Sequence, residues 1–101
     1  MKVLEITDKD VERVIQENKK VVIDCYATWC GPCNMLTPEL EKLASEDESL
    51  QIIKVDVDEF PNIARRYRVM SIPTLLLFKD GKLVNSKHGY MPLVPLKEFV
   101  A

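Results

Sequence analysis

Two cysteines separated by a Gly-Pro pair are the residues best suited to chemistry, in the segment Trp29-Cys30-Gly31-Pro32-Cys33. Thiolates act as nucleophiles, metal ligands and disulfide partners. A pair at this spacing can therefore form a redox couple, part of a metal site or a structural disulfide. The rest of the sequence has to distinguish these three uses.

The cysteine and histidine counts favour the redox couple. The chain has three cysteines and one histidine, His88. A disulfide scaffold normally carries a larger, even set of cysteines, and a closed zinc site needs four ligands. We expect neither a metal site nor a bound cofactor. An iron-sulfur cluster bridged between two chains by their CxxC pairs is an alternative.

Length and charge narrow the class of protein. The 101 residues suffice for one domain, 1–101, and the formal net charge of -2 gives no attraction to nucleic acid or anionic lipid. The N-terminal segment lacks the apolar core of a signal peptide, and no run of about 18 apolar residues occurs. We expect a cytoplasmic protein that binds neither nucleic acid nor membrane.

Hydrophobic periodicity predicts alternating strands and helices. The predicted strands are 2–6, 21–27, 51–57, 74–78 and 82–88, and the predicted helices are 7–20, about 33–48, 62–69 and 93–101. Asp80-Gly81 is typical of a two-residue hairpin between the last two strands. This order predicts an α/β fold with a mixed sheet.

The cysteine pair lies where a buried strand ends and a helix begins. In α/β sheets, sites lie at the carboxyl ends of parallel strands. If the helix begins near Cys33, its free amides favour a thiolate at Cys30. We therefore expect Cys30, open to solvent, to attack, and Cys33, partly covered, to resolve. Gly31 allows close approach of another chain, and Pro32 stiffens the turn.

The sequence contains, in this order, Asp24, the WCGPC segment 29–33, Pro38, Ile72-Pro73-Thr74, Asp80-Gly81 and Gly89. With these features it resembles the thioredoxin family over essentially the whole chain. The resemblance implies a five-stranded mixed sheet flanked by four helices, and a protein-disulfide reductase with a reversible Cys30-Cys33 couple. It also implies re-reduction by a thioredoxin reductase, disulfide-containing client proteins and a monomer.

Two charged residues interrupt apolar strands, Asp24 in VVIDCYA and Lys54 in QIIKVDV. The strand pattern alone leaves open whether Asp24 points to the rim of the sheet; the resemblance favours burial. A buried carboxyl has a raised pKa and could exchange a proton with Cys33, directly or through a water. Lys54 is the expected counter-charge, and the alternative is an edge lysine whose stem covers apolar surface.

The resemblance also implies a groove that binds substrate around the cysteines. A cis Ile72-Pro73 bond would face the CxxC pair and let the Ile72 backbone pair with an extended client segment. Trp29 and Gly89 are expected to complete the groove. The alternative for Trp29 is core packing.

Three further positions are less certain in role. Asn34 follows the second cysteine where the family often has a basic residue. His88 either assists Cys30 from the groove or faces solvent. Cys25 is expected to be a small buried hydrophobe. A non-catalytic thioredoxin-like scaffold is the remaining alternative function.

Overall fold

A five-stranded mixed sheet forms the centre of the protein, in a computed structural model that describes residues 3–101 and the side chains from residue 6 onward. The strand order is β1-β3-β2-β4-β5. The first three strands are parallel, and the last two add antiparallel at one edge. The predicted mixed α/β sheet with four helices is confirmed. The elements are β1 Val3–Glu5, α1 Asp8–Glu17, β2 Lys20–Tyr26, α2 Gly31–Glu46, β3 Leu50–Asp56, α3 Asn62–Arg66, β4 Thr74–Lys79, β5 Lys82–His88 and α4 Leu93–Val100.

Strand β2 lies between β3 and β4 and is covered on both faces, which explains its nearly continuous apolar sequence. Because strand side chains alternate, its residues divide between two cores. The α2-side core contains Val22 with residues of α2 and α4, such as Leu36 and Leu96. The α1-side core contains Ile23 and Cys25 with residues of α1 and α3.

Helix α2 begins at Gly31, two residues before the predicted start at Cys33. Cys30 is the N-cap, and the Asn34 N–H donates to the Cys30 carbonyl over 3.1 Å. The helix ends at Glu46 rather than Glu48. Its start therefore lies directly at the first cysteine.

Helix α3 ends at Arg66, three residues before the predicted end at Val69. Arg68 adopts a left-handed conformation, with φ 54°, and the Val69 N–H donates to the Ala64 carbonyl over 2.8 Å. This arrangement closes a helix end. The usual glycine signal is absent, so the sequence pattern extended the helix too far.

The predicted hairpin is confirmed. Asp80 and Gly81 have φ values of 51° and 82°, as a two-residue turn with both central residues left-handed requires. Lys79 and Lys82 pair on either side of the turn.

In the first strand, predicted as 2–6, Lys2 lies outside the described residues. No helix within residues 3–101 has the length and apolar character needed to cross a membrane.

Candidate redox-active site

Cys30 and Cys33 form a disulfide where β2 ends and α2 begins. Their Cα atoms are 5.2 Å apart. Cys30 caps the helix, and its Sγ accepts a hydrogen bond of 3.2 Å from the Cys33 N–H. The sulfur of Cys30 thus lies at the positive end of the α2 dipole.

Cys30 is less accessible than the sequence predicts. The expectation of a cysteine open to solvent is wrong for this disulfide form, since Cys30 is only 4% exposed and Cys33 1%. The two cysteines cluster with Ala27, and Ile72 packs against that cluster. The neighbouring Gly31 and Pro32 are exposed, so the disulfide lies just beneath the surface.

The loop before β4 forms one wall beside the disulfide. The Ile72-Pro73 peptide bond is cis, as expected from the resemblance. The Ile72 carbonyl oxygen lies 3.9 Å from Cys30 Sγ. Gly89 donates its N–H to the Pro73 carbonyl over 2.8 Å, and its φ of 93° favours glycine. Ile72, Pro73 and Gly89 are therefore brought together near Cys30.

Trp29 is a surface residue and not part of the core. Its side chain is 71% exposed, and Nε1–H donates to Asp58 Oδ2 over 2.7 Å. Asp58 was not among the residues predicted from the sequence. It could have been predicted, because Asp58 follows β3 just as Trp29 follows the parallel strand β2, and the ends of parallel strands meet at one edge of the sheet.

Asp24 is fully buried at the active-site end of β2, which excludes the rim position. It pairs in register with Lys54 on β3 and Leu75 on β4. Neither carboxylate oxygen has a hydrogen-bond partner among the described residues. Desolvation raises the pKa of Asp24 from 3.8 to about 7, and the charge of Lys54 partly opposes this rise.

Lys54 does not form an ion pair with Asp24, the contact expected of its counter-charge. Its Nζ donates to Thr37 Oγ1 over 2.8 Å and lies 4.3 Å from the centroid of the Tyr26 ring. The ammonium is thus held by a hydroxyl and a ring face, although Asp24 is its register neighbour. Thr37 was not predicted from the sequence. Its position four residues after Cys33 on the same helix indicates that the two residues are neighbours, and it could have been predicted from that spacing.

Two further candidates from the sequence are His88 and Cys25. His88 is exposed, pairs with Thr74, and lines a cavity of about 280 Å³ with Arg68 and Lys87. Cys25 is the buried hydrophobe that the sequence predicts. Burial raises the pKa of its thiol to about 12.

Metal ligands do not cluster around the cysteines. Among residues 3–101, no group of three or more His, Cys, Asp or Glu side chains is arranged to hold a metal ion. Asn34 donates its side-chain amide to the Thr28 carbonyl over 3.4 Å.

Comparison with known proteins identifies the family. The family model named Thioredoxin matches residues 2–101. The chain belongs to the thioredoxin family. It is 48% identical over 99 residues to a Staphylococcus epidermidis thioredoxin. The aligned region covers 97% of this chain and 94% of that protein.

Solved structures agree with this assignment. A mutant thioredoxin from Halobacterium salinarum superposes with a TM-score of 0.93 at 37% identity, over 98% of this chain and 88% of that one. Oxidised mitochondrial thioredoxin 3 from Saccharomyces cerevisiae gives a TM-score of 0.88 at 40% identity, over 96% of this chain and 92% of that one.

Family membership and the disulfide together establish the activity. The chain is a thiol-disulfide oxidoreductase that reduces protein disulfides. The scaffold and iron-sulfur alternatives are not favoured, because the two cysteines are bonded to each other at a helix start.

Proposed function

We propose that Cys30 is the attacking nucleophile and Cys33 the resolving cysteine of this reductase. The observation that carries the proposal is the hydrogen bond from the Cys33 N–H to Cys30 Sγ at the α2 N-cap. A thiolate gains more than a thiol from a backbone N–H and a helix N-terminus. Cys33 lies inside the first turn, where it can reach the same sulfur.

The reaction transfers two electrons and balances in two steps. The Cys30 thiolate attacks one sulfur of a client disulfide, forms a mixed disulfide and releases a client thiolate. The Cys33 thiol then loses its proton and attacks Cys30 Sγ. The second client thiolate leaves, and Cys30 and Cys33 are left as a disulfide.

Asp24 is the proposed acceptor of the Cys33 proton. Its side chain lies on the face of β2 that α2 covers, since it lies two residues after Val22 of the α2-side core. With a pKa raised to about 7, its carboxyl is part ionised at neutral pH and can both take and return a proton. Lys54 is the proposed supporting residue: without direct contact, its charge opposes part of the effect of desolvation and so keeps part of the carboxyl ionised.

The walls beside the disulfide form the proposed binding groove. Trp29 offers an exposed ring on one side, and Ile72, Pro73 and Gly89 form the other. The Ile72 carbonyl next to Cys30 Sγ suits an extended client segment that adds main-chain hydrogen bonds. Above the α2 start, a Cβ placed on Gly31 would contact nothing within 4 Å, so a partner backbone has room there.

The partners and setting follow from the proposed cycle. We infer that a thioredoxin reductase supplies the electrons and that clients are proteins with accessible disulfides. We further propose that residues 1–101 act as a single monomeric domain in the cytoplasm, since a reductant of disulfides needs a reducing compartment.

Trapping the mixed disulfide tests the assignment of the two cysteines. In Cys33→Ser, Cys30 should still attack a client disulfide but remain bound to it, giving a covalent complex that dithiothreitol releases. Cys30→Ser should give almost none, and Cys25→Ser is the matched control with a complete catalytic pair. Accumulation of the complex in Cys30→Ser and not in Cys33→Ser would reverse the roles.

A further inference from the structure

The Thr37 hydroxyl joins the Lys54 ammonium to the backbone of the resolving cysteine. Its Oγ1 accepts a hydrogen bond of 2.8 Å from Lys54 Nζ. The same hydroxyl donates to the Cys33 carbonyl over 3.3 Å. A continuous path of hydrogen bonds therefore runs from the ammonium of β3 to the first turn of α2, which carries the resolving sulfur.

A second contact holds the ammonium in the same position. Lys54 Nζ lies 4.3 Å from the centroid of the Tyr26 ring, within the range of a cation-π interaction. Among the described side chains, the Thr37 oxygen and the Tyr26 ring are thus the contacts that hold the lysine. The Tyr26 contact comes from β2, which also carries Asp24, and the Thr37 contact comes from α2, which also carries Cys33.

Asp24 is a register partner of Lys54, as Glu5 on β1 is, yet Asp24 and Lys54 do not form an ion pair. Their Cα atoms are direct partners across β2 and β3. Both Asp24 oxygens nevertheless lack a hydrogen-bond partner within the described residues. Two other acids, Asp56 and Glu59, line a cavity of about 120 Å³ together with Lys54 and Tyr26.

The position of the ammonium matters because an ion pair changes the basicity of a carboxylate. A cation in direct contact lowers the pKa of an Asp by about 1 to 3 units. A carboxylate lowered by that amount is a poorer acceptor of a thiol proton at neutral pH. The hydroxyl of Thr37 competes for the ammonium that would otherwise be free to make this contact.

We propose that Thr37 is a positioning residue: its hydroxyl holds the Lys54 ammonium away from the Asp24 carboxylate, which stays basic enough to accept the Cys33 proton. The proton passes from Cys33 Sγ to an Asp24 oxygen, and the thiolate so formed breaks the mixed disulfide. The inference rests on the proposed role of Asp24 as proton acceptor.

Titration of Asp24 tests the positioning directly. Thr37→Val removes the hydroxyl and keeps the side-chain shape, whereas Thr37→Ser keeps the hydroxyl. In the oxidised protein, a carboxyl carbon NMR titration should give an Asp24 pKa at least about 1 unit lower in Thr37→Val. Thr37→Ser should restore the wild-type value. An unchanged or higher pKa in Thr37→Val would overturn the proposal.

Removal of the cation supplies the matched control. In a Lys54→Gln background, Thr37→Val should cause no further change in the Asp24 pKa, because no ammonium remains to be positioned. If Thr37→Val lowers the Asp24 pKa equally with and without Lys54, the hydroxyl acts by another route and the proposal is wrong.

Kinetics separates this proposal from the proposed function. The rate of mixed-disulfide resolution should fall severalfold in Thr37→Val at neutral pH. The pH profile of this rate should move to lower pH by the same number of units as the Asp24 pKa. In Asp24→Asn, Thr37→Val should have no further effect. If Asp24→Asn itself leaves resolution unchanged, the proton-acceptor role fails, while the Asp24 titration still decides whether Thr37 positions Lys54.

Discussion

Asp24 and Cys25 are adjacent in β2 and equally buried, but they face opposite cores. Asp24 lies on the side covered by α2, near Lys54, whereas Cys25 lies among the apolar residues of the α1-side core. Desolvation is the largest cause of a raised pKa at both. The pKa of Asp24 rises to about 7 and that of Cys25 to about 12.

One physical effect therefore has two opposite consequences. Burial brings a carboxyl into the pH range where it can exchange protons, and it takes a thiol out of the range where it can react. The difference explains how a chain with three cysteines confines its redox chemistry to two. The third sulfur is protected by burial and by its position on the other face of the sheet.

Serine substitution of the cysteines should give the largest contrast. Cys30→Ser should lower the rate of disulfide reduction by at least about 10³-fold, because it removes the nucleophile. Cys25→Ser should retain most of the wild-type rate at a temperature where it remains folded. Insulin reduction assays check both, and comparable losses in the two variants would remove the distinction between the two faces.

Asp24→Asn should stabilise the oxidised protein at neutral and alkaline pH. The folded pKa of about 7 lies above the ordinary 3.8, so the native state binds more protons and loses stability as pH rises from about 4 to about 8. The difference of about 3 units corresponds to about 4 kcal/mol. Urea unfolding across this range should show the decline in the wild type and not in Asp24→Asn. A wild-type stability that does not fall with pH would contradict the unpaired carboxyl.

Cys25→Ala should have a smaller effect that does not depend on pH. Loss of a buried sulfur from the α1-side core leaves a small cavity and should cost about 1 to 2 kcal/mol. Urea unfolding should give the same loss at pH 4 and pH 8, because the thiol stays protonated throughout. A cost that changes by more than about 1 kcal/mol between these pH values would show that Cys25 titrates after all.

Asp58→Asn should have the smallest effect, since its partner lies at the exposed rim. The hydrogen bond from Trp29 Nε1–H to Asp58 is open to solvent. The charge of Asp58 therefore contributes about 0.5 to 1 kcal/mol at most to the free energy of unfolding. Unfolding measurements should detect little change, in contrast to the buried Asp24. A loss as large as the gain in Asp24→Asn would mean that burial does not decide the energetics of these two acids.

The sequence allowed the sheet, its order of elements and the cysteine site to be predicted, because each depends on local patterns. The apolar run of β2, the Asp80-Gly81 turn and the CxxC spacing are such patterns. Two features depended on contacts between elements and could not be predicted, the cover over Cys30 and the binding of Lys54 by Thr37 rather than Asp24. The closure of α3 by a left-handed Arg68 is local, but it lacks the usual glycine signal.

The pH dependence of Cys30 alkylation in the reduced protein tests the central claim most directly. Held at the N-cap of α2, the thiol should react with iodoacetamide with a midpoint between about 3.5 and 7.5, the range seen for cysteines at helix N-termini or beside cations. The Cys33→Ser variant isolates this reaction, since Cys25 is buried. A midpoint at or above about 8.5, the value of a free cysteine, would contradict the account.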